Sequence, residues 1–448
     1  MPRDPSALYH NRESTRHFLY SKAETDDLPK QDLRTATSIQ ASVQSVYPAL
    51  LTGRSFLEHS AQRLSSAATC ACAVIQIDAD GSAHFEQTNA VQTATHQKAA
   101  EGLDELCAKH DGIWGLVDSS LYGVFLGEKK APECLKLIQK FQKDLKKQTD
   151  KTASAGIAEC AKPNDKPAEM LTRALKALDH ASFFGPDSAV IFDAVSLNIS
   201  GDKLFDKGDI KGSMREFKQA LKLDPSNINV HNSLGVCFGL SGDYEKAKRE
   251  FNTVIKLDST EVMSWYNLGF THMLEGNRQQ ALDLFLKADA INPDVFEIAF
   301  QTGRLLTELS QPEKGKKFLE RAARLEPQSA AVFRYLGECY ASIGRKDDAI
   351  AAYKKAIKQN PSDAASLSAL GCLFDEQGEN PEIPMMFCQE SVTLSPENGL
   401  FRYRLGQLYF KQNLLDDALK EFKKASLLGH DASDDIEKIQ KQRPAKAL

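Results

Sequence analysis

The sequence predicts two architectures in one chain of 448 residues: an α+β domain in the first half and an all-α solenoid in the second. Glycines that recur at a nearly constant interval predict the solenoid. Apolar segments that alternate between strand-like and helix-like lengths predict the α+β domain. The chain is also long for a single hydrophobic core, so we expect more than one domain.

The composition disfavours several classes of protein. The net charge of -5 gives no overall attraction to nucleic acid or to an anionic membrane. The sequence contains no apolar run of about 18 residues, and the N-terminus lacks the apolar stretch of a secretory signal. We therefore expect a cytoplasmic protein without membrane insertion and without a nucleic-acid partner.

The residues that carry chemistry form no familiar catalytic motif. Nine cysteines lie at scattered positions, which favours reduced thiols over a disulfide framework. We find no phosphate-binding loop, no zinc-protease motif and no nucleophile elbow. The sequence therefore predicts no cofactor, no metal site and no enzymatic activity.

The second half is organised by a repeating glycine, with intervals of 34 residues five times and then 35. These glycines are Gly201, Gly235, Gly269, Gly303, Gly337, Gly371 and Gly406. Small residues follow at two fixed distances, a large apolar residue lies between them, and a proline closes most units. Small residues let two helices pack closely, and the proline ends the second helix. The pattern predicts seven two-helix units over 195–430, with a capping helix and tail in 431–448.

One unit matches a known repeat almost fully. WYNLGF at 265–270 is followed by Ala281, Phe285, Ala288 and Pro293, and this pattern resembles the tetratricopeptide repeat. The resemblance implies a superhelix of helix pairs whose concave groove, lined chiefly by the first helices, binds a segment of a partner protein.

The sixth unit departs from the repeat. It contains one extra residue, and Pro381 and Pro384 stand at the start of its second helix. Because proline lacks an N–H group and clashes with the preceding turn, we expect this helix to begin late or to be kinked.

The resemblance also implies which side chains line the groove, namely those three before, one after and four after the repeated glycine. Aromatic, methionine and arginine side chains dominate protein interfaces. The predicted partner-binding groove consists of Tyr266, Phe270, Met273, Phe300, Arg304 and Arg334, together with Met263 on the same side. The alternative is that several of these side chains pack against neighbouring helices.

Some members of the repeat family bind C-terminal carboxylates through a clamp of lysine and asparagine. The clamp positions here hold Asn198, Asp202, Asn232 and Val236, with no lysine. We therefore do not expect this chain to bind chaperone tails in that way.

The first half alternates strands and helices. Strands are predicted at 70–78, 83–87, 152–160 and 189–193, and helices at 96–109, 132–148 and 167–183. The stretch VDSSLYGVFL at 117–126 has two apolar runs around a short polar pair, which is typical of a β-hairpin. The pattern predicts one sheet covered by helices.

Three segments in this half resemble the GGDEF (diguanylate cyclase) domain over 46–194. They are ALLTGRSFLEHSAQRL at 49–64, SAGIAEC at 154–160 and LTRALKALDHASFFGPDSAVIFD at 171–193. The resemblance implies that the hairpin carries the signature of the family and that two carboxylates hold the metal.

The hairpin nevertheless lacks that signature. Asp118, Ser119, Ser120, Leu121 and Tyr122 occupy its five positions, so that a leucine replaces the metal-binding glutamate. Asp78 matches the first metal aspartate of the family, but phosphoryl transfer needs two carboxylates to hold Mg²⁺. We therefore expect a degenerate, inactive cyclase-like site.

We expect the whole chain to act as a non-catalytic adaptor or scaffold in bacterial signalling or assembly. Residues 1–45 are expected to be mobile, with a short amphipathic helix around Val43. The α+β domain would serve as a docking or dimerisation module, which makes a homodimer a candidate. The alternative is a receptor whose degenerate domain binds a nucleotide or cyclic dinucleotide and thereby controls the interactions of the repeats.

Overall fold

The structure, a computed structural model of the chain, describes residues 33–65, 67–78, 88–118, 120–160 and 165–442. The strand predicted at 83–87 and Ser119 lie outside the described residues. The chain forms two compact units, Met1–Asp258 and Ser259–Leu448, which are described separately below.

The first unit contains a five-stranded sheet. Its strands are β1 (Cys70–Ile77), β2 (Gly112–Asp118), β3 (Leu121–Gly127), β4 (Ala153–Glu159) and β5 (Ala189–Ile191). The strand order is β2-β3-β1-β4-β5, and only the β4–β5 pair is parallel. Central β1 pairs with two strands, so that Cys72 faces Phe125 of β3 on one side and Ala158 of β4 on the other.

Helices cover both faces of this sheet. They are α1 (Leu33–Val46), α2 (Gly53–Leu64), α3 (Thr88–His110), α4 (Ala131–Thr149) and α5 (Pro167–Ala181). Successive side chains of a strand point to opposite faces. Ala73 and Ile75 of β1 therefore join one core with α3 and α4, whereas Cys72 and Val74 join a second core with α2 and α5.

Gly156 shows why the SAGIAEC segment needs a glycine. The backbone of α5 lies directly on β4, and a Cβ atom at Gly156 would lie 2.0 Å from the carbonyl oxygen of Ala174. Only a residue without a side chain allows the helix to approach so closely.

A sheet covered by helices is confirmed, including the hairpin formed by β2 and β3, whereas the strand at 83–87 stays a prediction. The largest difference is α3, which begins at Thr88 rather than at 96. A domain of the GGDEF type is not established by this sheet alone.

Two helix pairs complete the first unit. They are α6 (Ala194–Asp206) with α7 (Ile210–Leu223) and α8 (Ile228–Leu240) with α9 (Tyr244–Leu257). The Nζ of Lys176 in α5 lies 2.6 Å from an Oε atom of Glu216 in α7, and this ion pair is largely buried. The ion pair thus ties the first helix pair to the α+β domain. The boundary at residue 194 between the α+β domain and the repeats stays a prediction.

The second unit consists of helices throughout its described residues. The pairs are α10 (Val262–Leu274) with α11 (Arg278–Ile291), α12 (Phe296–Glu308) with α13 (Pro312–Leu325), α14 (Ala330–Ser342) with α15 (Lys346–Gln359), α16 (Ala364–Gln377) with α17 (Glu382–Leu394), and α18 (Gly399–Lys411) with α19 (Leu415–Leu427). A final helix, α20 (Ser433–Gln442), packs on α19 through the buried side chain of Ile439. The predicted helical repeat is confirmed.

The sixth repeat begins its second helix late, as predicted. Glu382 opens α17 eleven residues after Gly371, whereas Ile210 opens α7 nine residues after Gly201. One of the two extra positions is the inserted residue, and Pro381 occupies the N-cap.

No helix in the described part of the chain is both long enough and apolar enough to span a membrane.

Candidate protein-binding site

The candidate site lies on the first helices of repeats three to six. Side chains three before, one after and four after the repeated glycine lie on one face of a helix, because these spacings follow its turns. We call this face the first-helix surface. Four of the seven predicted groove residues are half-buried there: Met273, Phe300, Arg304 and Arg334.

The other three predicted groove residues are buried. The exposed fractions are 8% for Met263, 1% for Tyr266 and 5% for Phe270. The Tyr266 ring stacks on Phe285 of the paired helix at 5.5 Å and on Phe270 at 6.1 Å. These three side chains therefore follow the alternative interpretation, in which predicted groove residues are buried by packing against neighbouring helices, as Tyr266 does against Phe285.

Tyr335 brings the half-buried residues together. Its ring meets Phe300 edge-on at 5.5 Å and lies under two guanidinium groups, those of Arg304 at 5.8 Å and Arg334 at 5.0 Å. Arg304 also donates a hydrogen bond through Nη2 to Sδ of Met273 at 3.1 Å. One row of contacts thus links repeats three, four and five, and cation–π contacts hold both arginines in place.

The Asp363 carboxylate extends this row into repeat six, and Arg404 of repeat seven reaches the same repeat. Nη1 of Arg334 lies 3.4 Å from Oδ1 of Asp363. Burial acts to lower the pKa of Arg334, but Asp363 and Tyr335 together outweigh burial, so the pKa is raised and the guanidinium stays charged. Nη1 of Arg404 donates to Oγ of Ser368 at 3.1 Å.

Glu338 lies among these charges. Burial raises the pKa of Glu338 above its ordinary value, Arg334 acts to lower it, and Asp363 and Glu308 act to raise it. The surface therefore carries both signs of charge beside an aromatic and methionine patch.

Sequence reasoning missed Tyr335, Glu338 and Asp363. Tyr335 lies two residues before Gly337, a position outside the three that the resemblance implied. Glu338 lies one residue after that glycine and could have been found with the same spacing rule. Asp363 precedes its helix as the N-cap, so spacing from the glycine does not indicate it.

At the predicted degenerate cyclase site, the structure gives Asp78 a structural role. Its Oδ1 accepts a hydrogen bond from Oγ of Ser154 at 2.7 Å, and its Oδ2 accepts one from the backbone N–H of Asp187 at 2.9 Å. The carboxylate thus ties the end of β1 to β4 and to the turn before β5.

The hairpin residues differ in their burial and in their contacts. Tyr122 is fully buried, and its hydroxyl lies 2.8 Å from Nδ1 of His96, whose pKa burial lowers to about 4. Leu121 packs against the second core, Ser120 is half-buried and Asp118 is exposed. Among the described residues, no group of three or more His, Cys, Asp or Glu side chains is placed to hold a metal ion.

Seven helix pairs, six of which place a large apolar side chain against the repeated glycine, define a tetratricopeptide repeat protein. More specifically, the chain belongs to the family of the cilia and flagella-associated protein 70 C-terminal domain, whose profile matches residues 166–442. The match thus covers α5 and β5 of the α+β domain as well as all seven repeats and α20.

Known proteins resemble parts of the chain. The Hsp70-Hsp90 organizing protein 1 of Glycine max is 27% identical over 155 residues, which are 34% of this chain and 25% of that protein. The chain thus spans a quarter of the length of this relative.

Solved structures also resemble parts of the chain. A tetratricopeptide repeat protein from Parabacteroides merdae is 18% identical and matches 55% of this chain and 97% of its own, with a TM-score of 0.42. YrrB, described as a TPR protein with an unusual peptide-binding site, is 19% identical and matches 41% of this chain and 95% of its own, with a TM-score of 0.38.

Proposed function

We propose that this protein is a non-catalytic scaffold that binds a segment of a partner protein on the first-helix surface of repeats three to six. The observation that carries the proposal is the row formed by Met273, Arg304, Tyr335 and Arg334, which is half-buried and held by mutual contacts.

The side chains of this row suit a protein partner. Tyrosine and arginine are enriched among the residues that contribute most to binding, and ordering them before binding reduces its entropic cost. The guanidinium groups can pair with carboxylates of the partner, while Met273 and Phe300 provide apolar contact. An extended peptide or one face of an amphipathic helix would fit these requirements.

The cellular setting is part of the proposal. The name of the family refers to cilia and flagella, so we propose a scaffold of the cilium or flagellum rather than one of bacterial signalling. Localisation of the tagged full chain in ciliated cells tests this part, and a uniform cytoplasmic distribution would contradict it.

The absence of lysine from the clamp positions argues against transferring a chaperone-organising role from the soybean relative.

The binding proposal is tested by charge reversal on the first-helix surface. We expect Arg304→Glu combined with Tyr335→Ala to lose partners that the wild-type protein recovers by affinity purification from its native lysate. Arg324→Glu is the matched control, because Arg324 is an exposed arginine on the second helix α13. Circular dichroism and thermal unfolding must show that both variants fold.

Two outcomes would contradict the binding proposal. Equal recovery of partners by the double variant and the wild type would exclude this surface, and equal loss in the Arg324→Glu control would show a nonspecific charge effect. Tyr266 is unsuitable for such a test, because a charge at this buried position would disrupt folding.

The second candidate function is a receptor for a nucleotide or cyclic dinucleotide in a GGDEF-like domain. The resemblance of 46–194 supports it, whereas the engagement of both Asp78 oxygens by Ser154 and Asp187 argues against it. Calorimetric titration of the full chain with GTP and with cyclic diguanylate distinguishes the two, since only the receptor predicts saturable binding.

A further inference from the structure

Glu338 is a half-buried carboxylate on the first-helix surface of repeat five. It lies four residues after Arg334 and three after Tyr335, so the three side chains share one face of α14. Within the described part of the chain, no hydrogen bond or ion pair engages the side-chain oxygens of Glu338. The carboxylate is thus placed on the binding surface without a partner from the described residues.

Neighbouring carboxylates are different, because each lies near a cation. The pairs are Glu308 with Arg304 at 3.4 Å, Asp363 with Arg334 at 3.4 Å, Asp375 with Lys411 at 2.5 Å and Glu376 with Lys346 at 2.8 Å. These four belong to the first helices of repeats four to six or directly precede one. Glu338 lies on the middle one of these helices and lacks such a pair.

The nearest arginine in sequence is engaged elsewhere. The guanidinium of Arg334 donates a hydrogen bond to Oδ1 of Asp363 and lies 5.0 Å over the Tyr335 ring. A basic residue four positions before an acidic one is also the less favourable order on a helix. Arg334 therefore attracts Glu338 without pairing with it, and the pKa of Glu338 stays above its ordinary value because burial outweighs this attraction.

An unpaired and partly desolvated carboxylate costs free energy in the unbound protein. A cation that binds to Glu338 would offset this cost through a charge-assisted hydrogen bond. The adjacent Tyr335 ring can also contact the alkyl stem of a long basic side chain. Lysine and arginine meet both requirements, whereas an acidic or purely apolar residue would leave the carboxylate unpaired.

We propose that Glu338 selects a partner segment that carries a lysine or arginine, whose charged group pairs with the Glu338 carboxylate beside the Tyr335 ring. This inference rests on the proposed binding function and adds the chemistry of the partner to it.

Selection of displayed random peptides on the full chain tests the proposal. Sequencing of the peptides that wild type retains should show lysine or arginine enriched at one aligned position. Glu338→Lys should exchange this preference for aspartate or glutamate. Glu313→Lys is the matched control, at an exposed glutamate of the second helix α13, and should keep the wild-type preference. A preference for basic residues that persists in Glu338→Lys would overturn the proposal.

A double-mutant cycle tests the direct contact. One peptide from the wild-type selection is compared with its variant in which glutamine replaces the basic residue, against wild type and Glu338→Gln. Each change alone should weaken binding about tenfold in calorimetric titrations, and both together little more than either. Losses that simply multiply would contradict a direct pair.

The conservative variant also separates binding from folding. Since Glu338 has no partner among the described residues, we expect the thermal unfolding midpoint of Glu338→Gln to equal or exceed that of wild type. A lowered midpoint would assign the carboxylate to the stability of the fold and overturn the proposal. Glu338→Gln thus remains informative even where Glu338→Lys fails to fold.

Failure of this inference is distinguishable from failure of the proposed function. Selected peptides that bind equally well to the Arg304→Glu and Tyr335→Ala double variant would overturn both. Peptides that require Arg304 and Tyr335 but show no preference for a basic residue would overturn only the role of Glu338.

Discussion

At the residue scale, two tyrosines, one in repeat three and one in repeat five, show how burial depends on position along the first helix. Tyr266 lies three residues before its repeated glycine and is enclosed by Phe285. Tyr335 lies two residues before its own glycine and stays half-exposed under Arg304 and Arg334. Since a helical step of one residue rotates the side chain by about 100°, Tyr335 leaves its helix in a different direction from Tyr266.

His231 provides a prediction about pH at this scale. Its Nδ1 lies 2.6 Å from Oε2 of Glu250, and its Nε2 lies 3.0 Å from the carbonyl oxygen of Pro225. The hydrogen bond with Glu250 raises the pKa of His231, while burial acts to lower it. The folded state therefore holds the proton more tightly than the unfolded state, and this stabilises the protein below the ordinary histidine pKa of about 6.5.

The stabilisation should disappear as the pH rises through the raised pKa of His231. We expect His231→Gln to lower the free energy of unfolding by about 1 kcal/mol below pH ~6.5, and by progressively less at higher pH. Thermal unfolding of wild type and variant across this range measures the difference. His59→Gln, at an exposed histidine of the same unit, is the control, and a difference independent of pH would contradict the role of the Glu250 pair.

At the element scale, the final helix covers the end of the last repeat. Ile439 of α20 is fully buried in one cluster with Ala418, Phe422 and Ala432. The hydroxyl of Tyr403 donates a hydrogen bond to Oδ2 of Asp435 at 2.9 Å. Because a repeat contacts mainly its neighbours, the outer apolar face of the last repeat needs a helix such as α20 to cover it.

Replacement of Ile439 should therefore weaken the end of the second unit first. We expect Ile439→Ser to destabilise α18 and α19 by about 2–4 kcal/mol, because it removes apolar contacts and buries a hydroxyl group. Hydrogen exchange should rise in these two helices while α10 and α11 keep their protection. Gln440→Ser, at the exposed neighbouring position, is the control, and equally faster exchange in all helices would exclude a local role.

At the scale of the whole molecule, the chain divides into two compact units at Asp258, within the series of repeats rather than at its start. The first unit is held together by the two cores of the sheet and by the contact of α5 with the first repeat. The second unit has several smaller clusters between consecutive helices.

This division predicts unfolding in more than one transition. Phe125→Ala and Phe285→Ala each remove a fully buried ring, one from each unit, and should each cost about 3–5 kcal/mol. In denaturant titrations followed by circular dichroism, each variant should move a different transition. Leu286→Ala, at an exposed leucine beside Phe285, should leave both in place, whereas one common transition moved by both phenylalanine variants would contradict independent units.

The sequence by itself determined the helix pairs, the late start of α17, and the strands and hairpin of the sheet. These features follow from local patterns: glycine spacing, prolines, and apolar runs whose period distinguishes a helix from a strand. Only the tertiary structure decided that Tyr266 is buried, that Asp78 bonds to Ser154 and Asp187, and that Tyr335 lies under Arg304 and Arg334. Each of these outcomes depends on residues from another helix or strand. The spacing of residues within one helix or strand does not encode how that element packs against the others.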